Sequence, residues 1–290
     1  MNTTLWCFIY SMQTITSNII KTLKLPKPNS HKRDNGRLLI IAGSDKYFGA
    51  LVYCIRAASR IVDLVYMLTT NENKKLIEKM KLKTAEFMPI GHSIFPSPLE
   101  EEGGRRPDEG AMPDIDAILI GSGLGISIHT KNLVRKVLKS GIKAVLDADA
   151  LNVLDKNLMH QLGPHHILTP HTREFIRLFY LKPTPQNAEK MMKKYKCTIV
   201  LKGPVDYIAS VDKGLWQNKT GNAGMTKGGT GDILAGQIAA FYTTNDAFTS
   251  SAAGAYLNGA AGDELHKKVG TFYNAEDLVE QIPRTLKKLL

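Results

Sequence analysis

The chain carries in its last third the glycine-rich stretch Gly221-Asn-Ala-Gly-Met-Thr-Lys-Gly-Gly-Thr-Gly-Asp232, which runs into the apolar segment Ile233-Leu-Ala-Gly-Gln-Ile-Ala-Ala-Phe241. Five glycines in twelve residues cannot pack a core, but they let the backbone come close to a ligand. The apolar segment has helical spacing, since Ile233, Leu234 and Ile238 fall near one face. A glycine turn that opens a helix directs free N–H groups and the positive end of the helix dipole at one point. The stretch therefore predicts a phosphate site.

Asp232 stands at this predicted anion site. A phosphate alone disfavours a carboxylate beside it, so a role as proton acceptor is one interpretation. The other is that Asp232 caps the helix, because aspartate is a favoured N-cap residue. The segment by itself leaves both interpretations open.

Composition places the chain among globular proteins. Its 290 residues suffice for one large α/β domain or two small ones, and 43% hydrophobic and 22% charged residues are ordinary values. The net charge of +11 raises the possibility of a nucleic-acid-binding protein. The basic residues are spread along the chain without a long run, however, and a site for a polyanionic nucleotide accounts for part of the excess. We therefore expect no nucleic-acid partner.

Cysteine usage and hydropathy indicate the compartment. Cys7, Cys54 and Cys197 are odd in number and far apart, which argues for a reducing environment and against a metal site. The apolar patch from Trp6 to Tyr10 is too short to span a membrane. We expect a cytoplasmic protein without a membrane partner.

The chain is predicted to have a lead-in at residues 1–29 and one domain over 30–290. Residues 1–36 read as too polar and broken for a buried element, apart from a short amphipathic helix at 16–25. Residues 91–113, rich in proline, glycine and charge, interrupt the domain as a surface loop or lid. The predicted strands lie at 37–42, 63–69, 86–89, 117–121, 144–147, 166–169 and 197–201, with an edge hairpin at 206–211 and 215–217. The predicted helices lie at 50–61, 73–80, 129–140, 172–179, 186–195, 231–242, 248–268 and 275–290. Alternating strands and helices predict an α/β fold, a three-layer αβα sandwich around a mostly parallel sheet.

Polar and glycine motifs directly follow five of the predicted strands. These motifs are Gly43-Ser-Asp, Gly121-Ser-Gly-Leu-Gly125, Asp147-Ala-Asp149, Thr169-Pro-His171 and Lys202-Gly203. In open α/β sheets, ligands bind outside the carboxyl ends of the strands. The site is therefore predicted along that edge.

Taken singly, these motifs are ambiguous. Gly121–Gly125 lacks the full dinucleotide fingerprint and is also explained by a tight turn. Asp147 and Asp149 are weak candidates for holding Mg²⁺ through water, and turn or cap roles fit them equally. His171 at a strand end is a candidate ligand contact, although a lone histidine is more often structural. Lys202 would place an ammonium near a nucleotide phosphate, or lie on the surface.

Together the motifs resemble the NAD(P)H-hydrate dehydratases, a branch of the ribokinase-like superfamily. The resemblance runs from about Ser30 to the C-terminus. It is carried by Gly43–Ala50, Gly121–Gly125, Asp147–Asn152, Leu168–His171, Val200–Gly203 and Gly221–Asp232. The chain departs from the family pattern at Ser122 and Ala223, where proline is usual, at Thr172-Arg173 and at Pro204–Asp206.

The resemblance implies a ribokinase-like fold and a nucleotide-repair enzyme. This enzyme would dehydrate NADHX or NADPHX back to NADH or NADPH, with ADP or ATP as co-substrate and Mg²⁺. The positions that match the hydrate-nucleotide site are Ala50, Gly123, His171 and Asp232. Those that match the adenine-nucleotide site are Lys202, Gly203, Pro204, Val205, Asp206 and Gly231. Many relatives carry a hydrate epimerase domain ahead of this one. With the first strand near Arg37, we expect a separate epimerase partner instead, and we expect the chain to form a homo-oligomer.

The chemistry fits the residues independently of the resemblance. Hydroxide is a poor leaving group, and phosphorylation of the ring hydroxyl turns it into phosphate. Asp232 would take the hydroxyl proton, while the N–H groups of Gly229, Thr230 and Gly231 form the anion hole. The rival within enzymes is a kinase of the same superfamily that acts on a vitamin-precursor alcohol.

Overall fold

The computed structural model describes residues 12–70, 73, 87–90 and 114–290. The loop predicted at 91–113, the apolar patch at 6–10 and most of the helix predicted at 73–80 lie outside the described residues.

The described residues form one ten-stranded sheet with the strand order β1-β10-β9-β8-β7-β6-β5-β2-β3-β4. The strands are β1 (Gln13–Thr14), β2 (Arg37–Ile41), β3 (Leu64–Leu68), β4 (Met88–Pro89), β5 (Ala117–Ile120), β6 (Lys143–Leu146), β7 (His166–Leu168), β8 (Thr198–Leu201), β9 (Asp206–Ser210) and β10 (Gly214–Asn218). Neighbouring strands pair in parallel except at β9, which runs antiparallel to both β8 and β10. The mostly parallel sheet and the antiparallel pairing of β9 with β10 are as predicted, whereas the edge position predicted for this hairpin is wrong.

The helices lie in two layers, one on each face of the sheet. They are α1 (Phe48–Ala58), α2 (Ile128–Lys139), α3 (Asp149–Asn152), α4 (Lys156–Met159), α5 (Thr172–Phe179), α6 (Pro185–Tyr195), α7 (Thr230–Thr244), α8 (Ala247–Val269) and α9 (Ala275–Leu289). Side chains of α1, α7 and α8 share one core with the sheet, and those of α2 to α6 share another. The three-layer αβα sandwich is therefore confirmed. Within the described part of the chain, no helix has the length and apolar character needed to cross a membrane.

Strand alternation assigns the residues to the two cores. In β2, Leu38 and Ile40 join the core under α1 and α7, whereas Leu39 and Ile41 join the opposite core. Successive strand side chains point to opposite faces, so a strand covered by helices on both faces must be apolar throughout. This requirement explains the continuous apolar run that identified the strand from sequence.

Helix α7 is buried on nearly all sides between the sheet and the outer helices. Ile238 packs toward the sheet, while Ile233 and Phe241 join a third core with α8 and α9. A helix that is apolar all round is a helix buried all round. The glycine-rich stretch therefore opens the most enclosed helix of the fold, and its first turn is rigidly placed.

The N-terminal segment differs from the expectation that residues 1–36 contain no buried element. Strand β1 pairs in parallel with β10, so the hairpin is not the edge of the sheet. The amphipathic helix expected at 16–25 is a 3-10 helix at Ser17–Thr22, and Ile20 and Leu23 are buried against α8 and α9. These two apolar side chains hold the otherwise polar segment on the domain, because they pack on apolar surface of α8 and α9. The hydrophobic pattern of the segment alone does not reveal that surface.

Candidate active site

The loops after five parallel strands meet at one edge of the sheet. Strands β8, β7, β6, β5 and β2 are consecutive neighbours, so their carboxyl ends lie side by side. Backbone hydrogen bonds continue past the strand ends, from Gly43 N to Ser122 O at 2.8 Å and from Lys202 N to Pro170 O at 2.9 Å. The structure thus places the predicted motifs together at the edge where the sequence located them.

Helix α7 begins at this edge, and Gly229 is its N-cap with a φ of 95°. This left-handed conformation favours glycine. The Thr230 hydroxyl turns back and donates to the carbonyls of Met225 at 2.7 Å and Lys227 at 2.9 Å, which holds the turn. The Thr230 N–H makes only a long hydrogen bond to the Lys227 carbonyl, at 3.5 Å, since the N–H groups of a first helical turn lack a helical carbonyl one turn earlier. The backbone at Gly229, Thr230 and Gly231 therefore remains the part of this turn that can hold an anion.

Asp232 is the third residue of α7 and not its N-cap. Its backbone carbonyl accepts from the buried Cys54 thiol of α1 at 3.4 Å, which fixes its position. Burial, reinforced by the negative charge of Asp147, raises the pKa of Asp232 to about 6. A carboxylate with such a pKa is a better base than an exposed aspartate and is still ionised at neutral pH. Its place and its pKa favour proton acceptance over helix capping.

Lys202 lies beside Asp232, and its ammonium pairs with Asp147 at 2.7 Å. Burial by itself would lower the pKa of Lys202, but the charges of Asp147 and Glu174 outweigh it and raise the pKa. A Cβ placed at Gly231 would be 3.8 Å from the Lys202 Nζ atom. The ammonium therefore stands next to the first turn of α7, where it adds positive charge to the anion site.

Asp206, the residue that ends the turn after Lys202, holds this turn in shape through hydrogen bonds. Asp206 accepts from the Gly203 N–H at 3.1 Å and from the Asn218 side chain at 3.2 Å, so both of its oxygens have protein partners. Burial raises the pKa of Asp206. Pro204 and Val205 form the bend between them. Asp206 thus shapes the loop that the sequence assigned to the adenine nucleotide.

The two small residues assigned to the hydrate-nucleotide site are neighbours. A Cβ at Gly123 would lie 3.0 Å from the Ala50 Cβ and 2.9 Å from the Tyr47 Cβ. Ala50 is in the first turn of α1, and Gly123 is in the loop after β5. A larger side chain at either position would fill the gap between these two elements.

His171 has a structural partner in addition to its predicted ligand role. Its Nδ1 atom accepts from the N–H groups of Arg173 at 3.0 Å and Glu174 at 3.3 Å, so the imidazole caps α5. Glu174 completes a capping box by accepting from the His171 N–H at 2.8 Å. His171 also forms a parallel bridge with Lys202, and its side chain is 50% exposed. The imidazole is fixed by the cap, its Nε2 atom lies 3.5 Å from the Glu174 Oε1 atom, and half of its surface stays exposed to a ligand.

Neither candidate carboxylate fits a direct metal ligand. Asp147 is paired with Lys202, and an ammonium at 2.7 Å opposes a second cation. Asp149 accepts from the Gly125 N–H at 2.8 Å and from the Asn152 amide at 3.0 Å. Among the described residues, no three metal-ligating side chains cluster. Asp149 therefore anchors the loop at Gly121–Gly125 rather than forming part of a protein cage for Mg²⁺.

Sequence reasoning missed the residues that hold the glycine-rich loop from behind. Asp263 of α8 accepts from the Gly221 N–H at 3.0 Å and from the Asn222 amide at 3.0 Å. The Tyr273 hydroxyl donates to Asn222 at 2.8 Å, and Lys227 donates to the Tyr273 carbonyl. Asp263 and Tyr273 lie about 40 and 50 residues further along the chain. No local motif marks them.

The chain matches a known protein family over most of its length. A family model described as NAD(P)H-hydrate dehydratase matches residues 38–284. A bifunctional NAD(P)H-hydrate repair enzyme of Methanocaldococcus jannaschii is 39% identical over 276 residues, covering 92% of this chain and 51% of that protein. The chain thus spans about half the length of the first curated relatives it matches.

Two further proteins match along nearly their whole length. An ADP-dependent (S)-NAD(P)H-hydrate dehydratase of Xanthomonas campestris is 30% identical, with 96% of this chain and 97% of that protein covered. The crystal structure of the ADP/ATP-dependent NAD(P)H-hydrate dehydratase of Bacillus subtilis, co-crystallized with ATP/Mg²⁺, matches with a TM-score of 0.81 at 28% identity, covering 97% of this chain and 100% of that one. The fold is ribokinase-like. The chain belongs to the NAD(P)H-hydrate dehydratase family.

Proposed function

We propose that this chain dehydrates (S)-NADHX and (S)-NADPHX to NADH and NADPH, with ADP as the phosphoryl donor. The observation that carries the proposal is the first turn of α7, where Asp232, with a pKa of about 6, stands beside the backbone N–H groups of the helix start and the Lys202 ammonium. A base next to an anion hole suits phosphoryl transfer to a hydroxyl. The near full-length match to an ADP-dependent dehydratase supports the same reaction.

In the first step Asp232 accepts the proton of the ring hydroxyl as its oxygen attacks the terminal phosphorus of ADP. The bond between that phosphorus and the bridging oxygen breaks, and AMP leaves with the electron pair. The N–H groups of Gly229, Thr230 and Gly231, together with the Lys202 ammonium, offset the charge on the transferring phosphoryl group. The product of this step is a phosphate ester of the hydrated ring.

In the second step the ester collapses. The ring nitrogen donates its electron pair toward the carbon that carries the phosphate, and the carbon–oxygen bond breaks with release of inorganic phosphate. Loss of a proton from the neighbouring ring carbon restores the dihydronicotinamide. One NADHX and one ADP therefore give one NADH, one AMP and one phosphate.

The proposal includes a Mg²⁺ ion bound with the nucleotide. The Bacillus subtilis protein was co-crystallized with ATP/Mg²⁺, and Mg²⁺ keeps several waters when it binds nucleotide phosphates. Since the protein carboxylates do not fit direct ligation, we assign Mg²⁺ to the nucleotide and derive no step from it. We further propose a cytoplasmic homo-oligomer that works with a separate hydrate epimerase. The buried free thiols of Cys54 and Cys197 suit a reducing compartment.

The decisive experiment follows all products of one reaction. With NADHX and ADP, we expect NADH, AMP and inorganic phosphate in equal amounts, without accumulation of a phosphorylated nucleotide. The absorbance of NADH, nucleotide chromatography and a phosphate assay measure the three products. Repeating the reaction with ATP in place of ADP determines the nucleotide preference.

The same experiment tests the kinase alternative. A kinase must release a stable phosphoester, because its alcohol substrate has no adjacent nitrogen to drive elimination. Hydroxymethylpyrimidine and thiazole alcohols therefore serve as control substrates and should yield little or no phosphoester. Steady phosphoester formation from either alcohol, with no NADH from NADHX, would replace the dehydratase by a kinase.

A histidine substitution tests the assignment of the substrate end. Because His171 also caps α5, His171→Ala removes a cap at a cost of about 0.5–2 kcal/mol in addition to any ligand contact. Asparagine is itself a good N-cap residue, so His171→Asn isolates the ligand contact. We expect His171→Asn to raise KM for the hydrate more than KM for ADP, measured by steady-state kinetics. An equal rise of both constants would contradict the placement.

A further inference from the structure

We propose that Asp147 is a positioning residue that holds the Lys202 ammonium against the first turn of α7, which begins the helix that carries Asp232. The sequence suggested only a metal or turn role for Asp147. This inference rests on the proposed function for its kinetic part. The effect of Asp147 on the pKa of Asp232 can be measured without turnover.

The exposure of the two partners separates their roles. The Asp147 side chain is 3% exposed, and that of Lys202 is 17% exposed. The Lys202 Nζ atom also lies 3.8 Å from the Cβ position of Gly231, so the ammonium stands between the buried Asp147 carboxylate and the first turn of α7. Asp147 can act on a bound phosphate only through Lys202.

Buried hydroxyl groups lock the Asp147 carboxylate in place. The Thr169 hydroxyl donates to the same Oδ1 atom that pairs with Lys202, at 2.7 Å. The Ser122 hydroxyl approaches the other oxygen at 3.4 Å. Thr169 and Ser122 are fully buried at the ends of β7 and β5. A charged group buried this deeply needs both a counterion and hydrogen bonds, and Asp147 has both.

The charged groups around Asp232 come from several elements. Asp147 and Asp149, after β6, raise its pKa, and Lys202, after β8, lowers it. The Cys54 thiol of α1 lies beneath it. Glu174 of α5 faces Lys202 from the other side, and burial raises its pKa. Lys202 is thus the cation shared among these carboxylates, and Asp147 is the one that holds it directly.

Removing the charge of Asp147 is expected to lower the pKa of Asp232. The repulsion between the two carboxylates disappears, and the ammonium, without its partner, is free to pair with Asp232. Both changes favour the ionised form of Asp232, lower its pKa and weaken it as a base. A contribution of Asp147 to packing alone, without its charge and its ion pair, would leave that pKa unchanged.

The test is Asp147→Asn, which keeps the shape of the side chain. We expect kcat to fall by about tenfold and the acid limb of the pH profile of kcat/KM to move down by about one pH unit. Asp155→Asn is the matched control, since Asp155 also pairs with a lysine, Lys131, at 2.6 Å, but at the start of α4, away from the site. The control should keep the wild-type rate and profile.

A titration that does not depend on turnover completes the test. Carbon-13 NMR of aspartate-labelled protein, assigned with Asp232→Asn, reports the pKa of Asp232 directly. We expect a lower value in Asp147→Asn than in the wild type, and an unchanged pKa with an unchanged pH profile would overturn the proposal. If wild-type protein forms no NADH from NADHX, the proposed function fails, and the NMR titration still decides the role of Asp147.

A second variant covers the case in which Asp147→Asn does not fold. Thr169→Val keeps the charge but removes the hydroxyl that orients it, and Thr169→Ser keeps that hydroxyl. We expect Thr169→Val to shift the Asp232 titration and Thr169→Ser to restore it. Identical titrations in the wild type and in both variants would overturn the proposal.

Discussion

Replacement of Asp232 by asparagine is expected to lower kcat by about 10²–10⁴-fold, the range typical of a lost general base. The amide has the shape of the carboxylate but cannot accept the hydroxyl proton. The anion hole is made of backbone and Lys202, so ADP should still bind with nearly wild-type affinity. Steady-state kinetics and calorimetric titration with ADP measure the two effects. A near wild-type rate in Asp232→Asn would leave the carboxylate without a catalytic role.

The same variant should be more stable than the wild type at neutral pH. The folded-state pKa of about 6 lies above the ordinary value of 3.8, so the fold disfavours the ionised form. The wild type therefore loses stability as pH rises from about 4 to 6 and above, by up to about 3 kcal/mol, and the neutral amide does not. Thermal unfolding at pH 7 should show the gain, and at pH 4 the difference should vanish. No gain at pH 7 would contradict the raised pKa.

The wild-type pH profile follows from the same group. The base must be ionised, so kcat/KM should fall as pH decreases through about 6. An ordinary aspartate would hold the rate down to about pH 4. Asp149→Asn should move this fall in kcat/KM less than Asp147→Asn does, because Asp149 contributes less than Asp147 to the pKa of Asp232.

Replacement of Gly121 by alanine is expected to be the most damaging single methyl addition near the site. Gly121 has a φ of 129°, and its Cβ would overlap the Asp147 carbonyl oxygen and lie 2.7 Å from the Ala150 Cβ. The backbone strain costs about 1–2 kcal/mol, and forcing β5 away from the loop after β6 adds about 1–3 kcal/mol. We expect the melting temperature to fall by about 10 °C. Turnover should also drop, because Asp147 moves with that loop.

Gly141→Ala separates strain from overlap. Gly141 also has a left-handed φ, 72°, but no atom lies within 4 Å of its Cβ position. This variant should lose only the strain contribution, with a fall of a few degrees in melting temperature and unchanged turnover. Equal losses in Gly121→Ala and Gly141→Ala would show that the contact with Asp147 is unimportant.

Local sequence patterns determined the positions of most strands and of the main helix start. A strand covered on both faces must be apolar along its whole length, so β2 and β5 were recognisable as short continuous apolar runs. Parallel strands then bring their carboxyl ends to one edge, which predicted that His171 and Lys202 lie close together there. The glycines before Ile233 likewise predicted a helix start. Gly229 is the N-cap there, in a backbone conformation that favours glycine.

Only the tertiary structure decided which of these side chains interact. Asp147 and Lys202 are 55 residues apart, and their ion pair depends on the neighbouring positions of β6, β7 and β8 in the sheet. The same contact gives Asp147 an ammonium partner that its sequence context did not predict. Periodicity reports the face on which a residue lies, whereas pKa values and ion pairs depend on distances set by strand order. Sequence alone therefore located the site, and the folded arrangement determined the charge of each group within it.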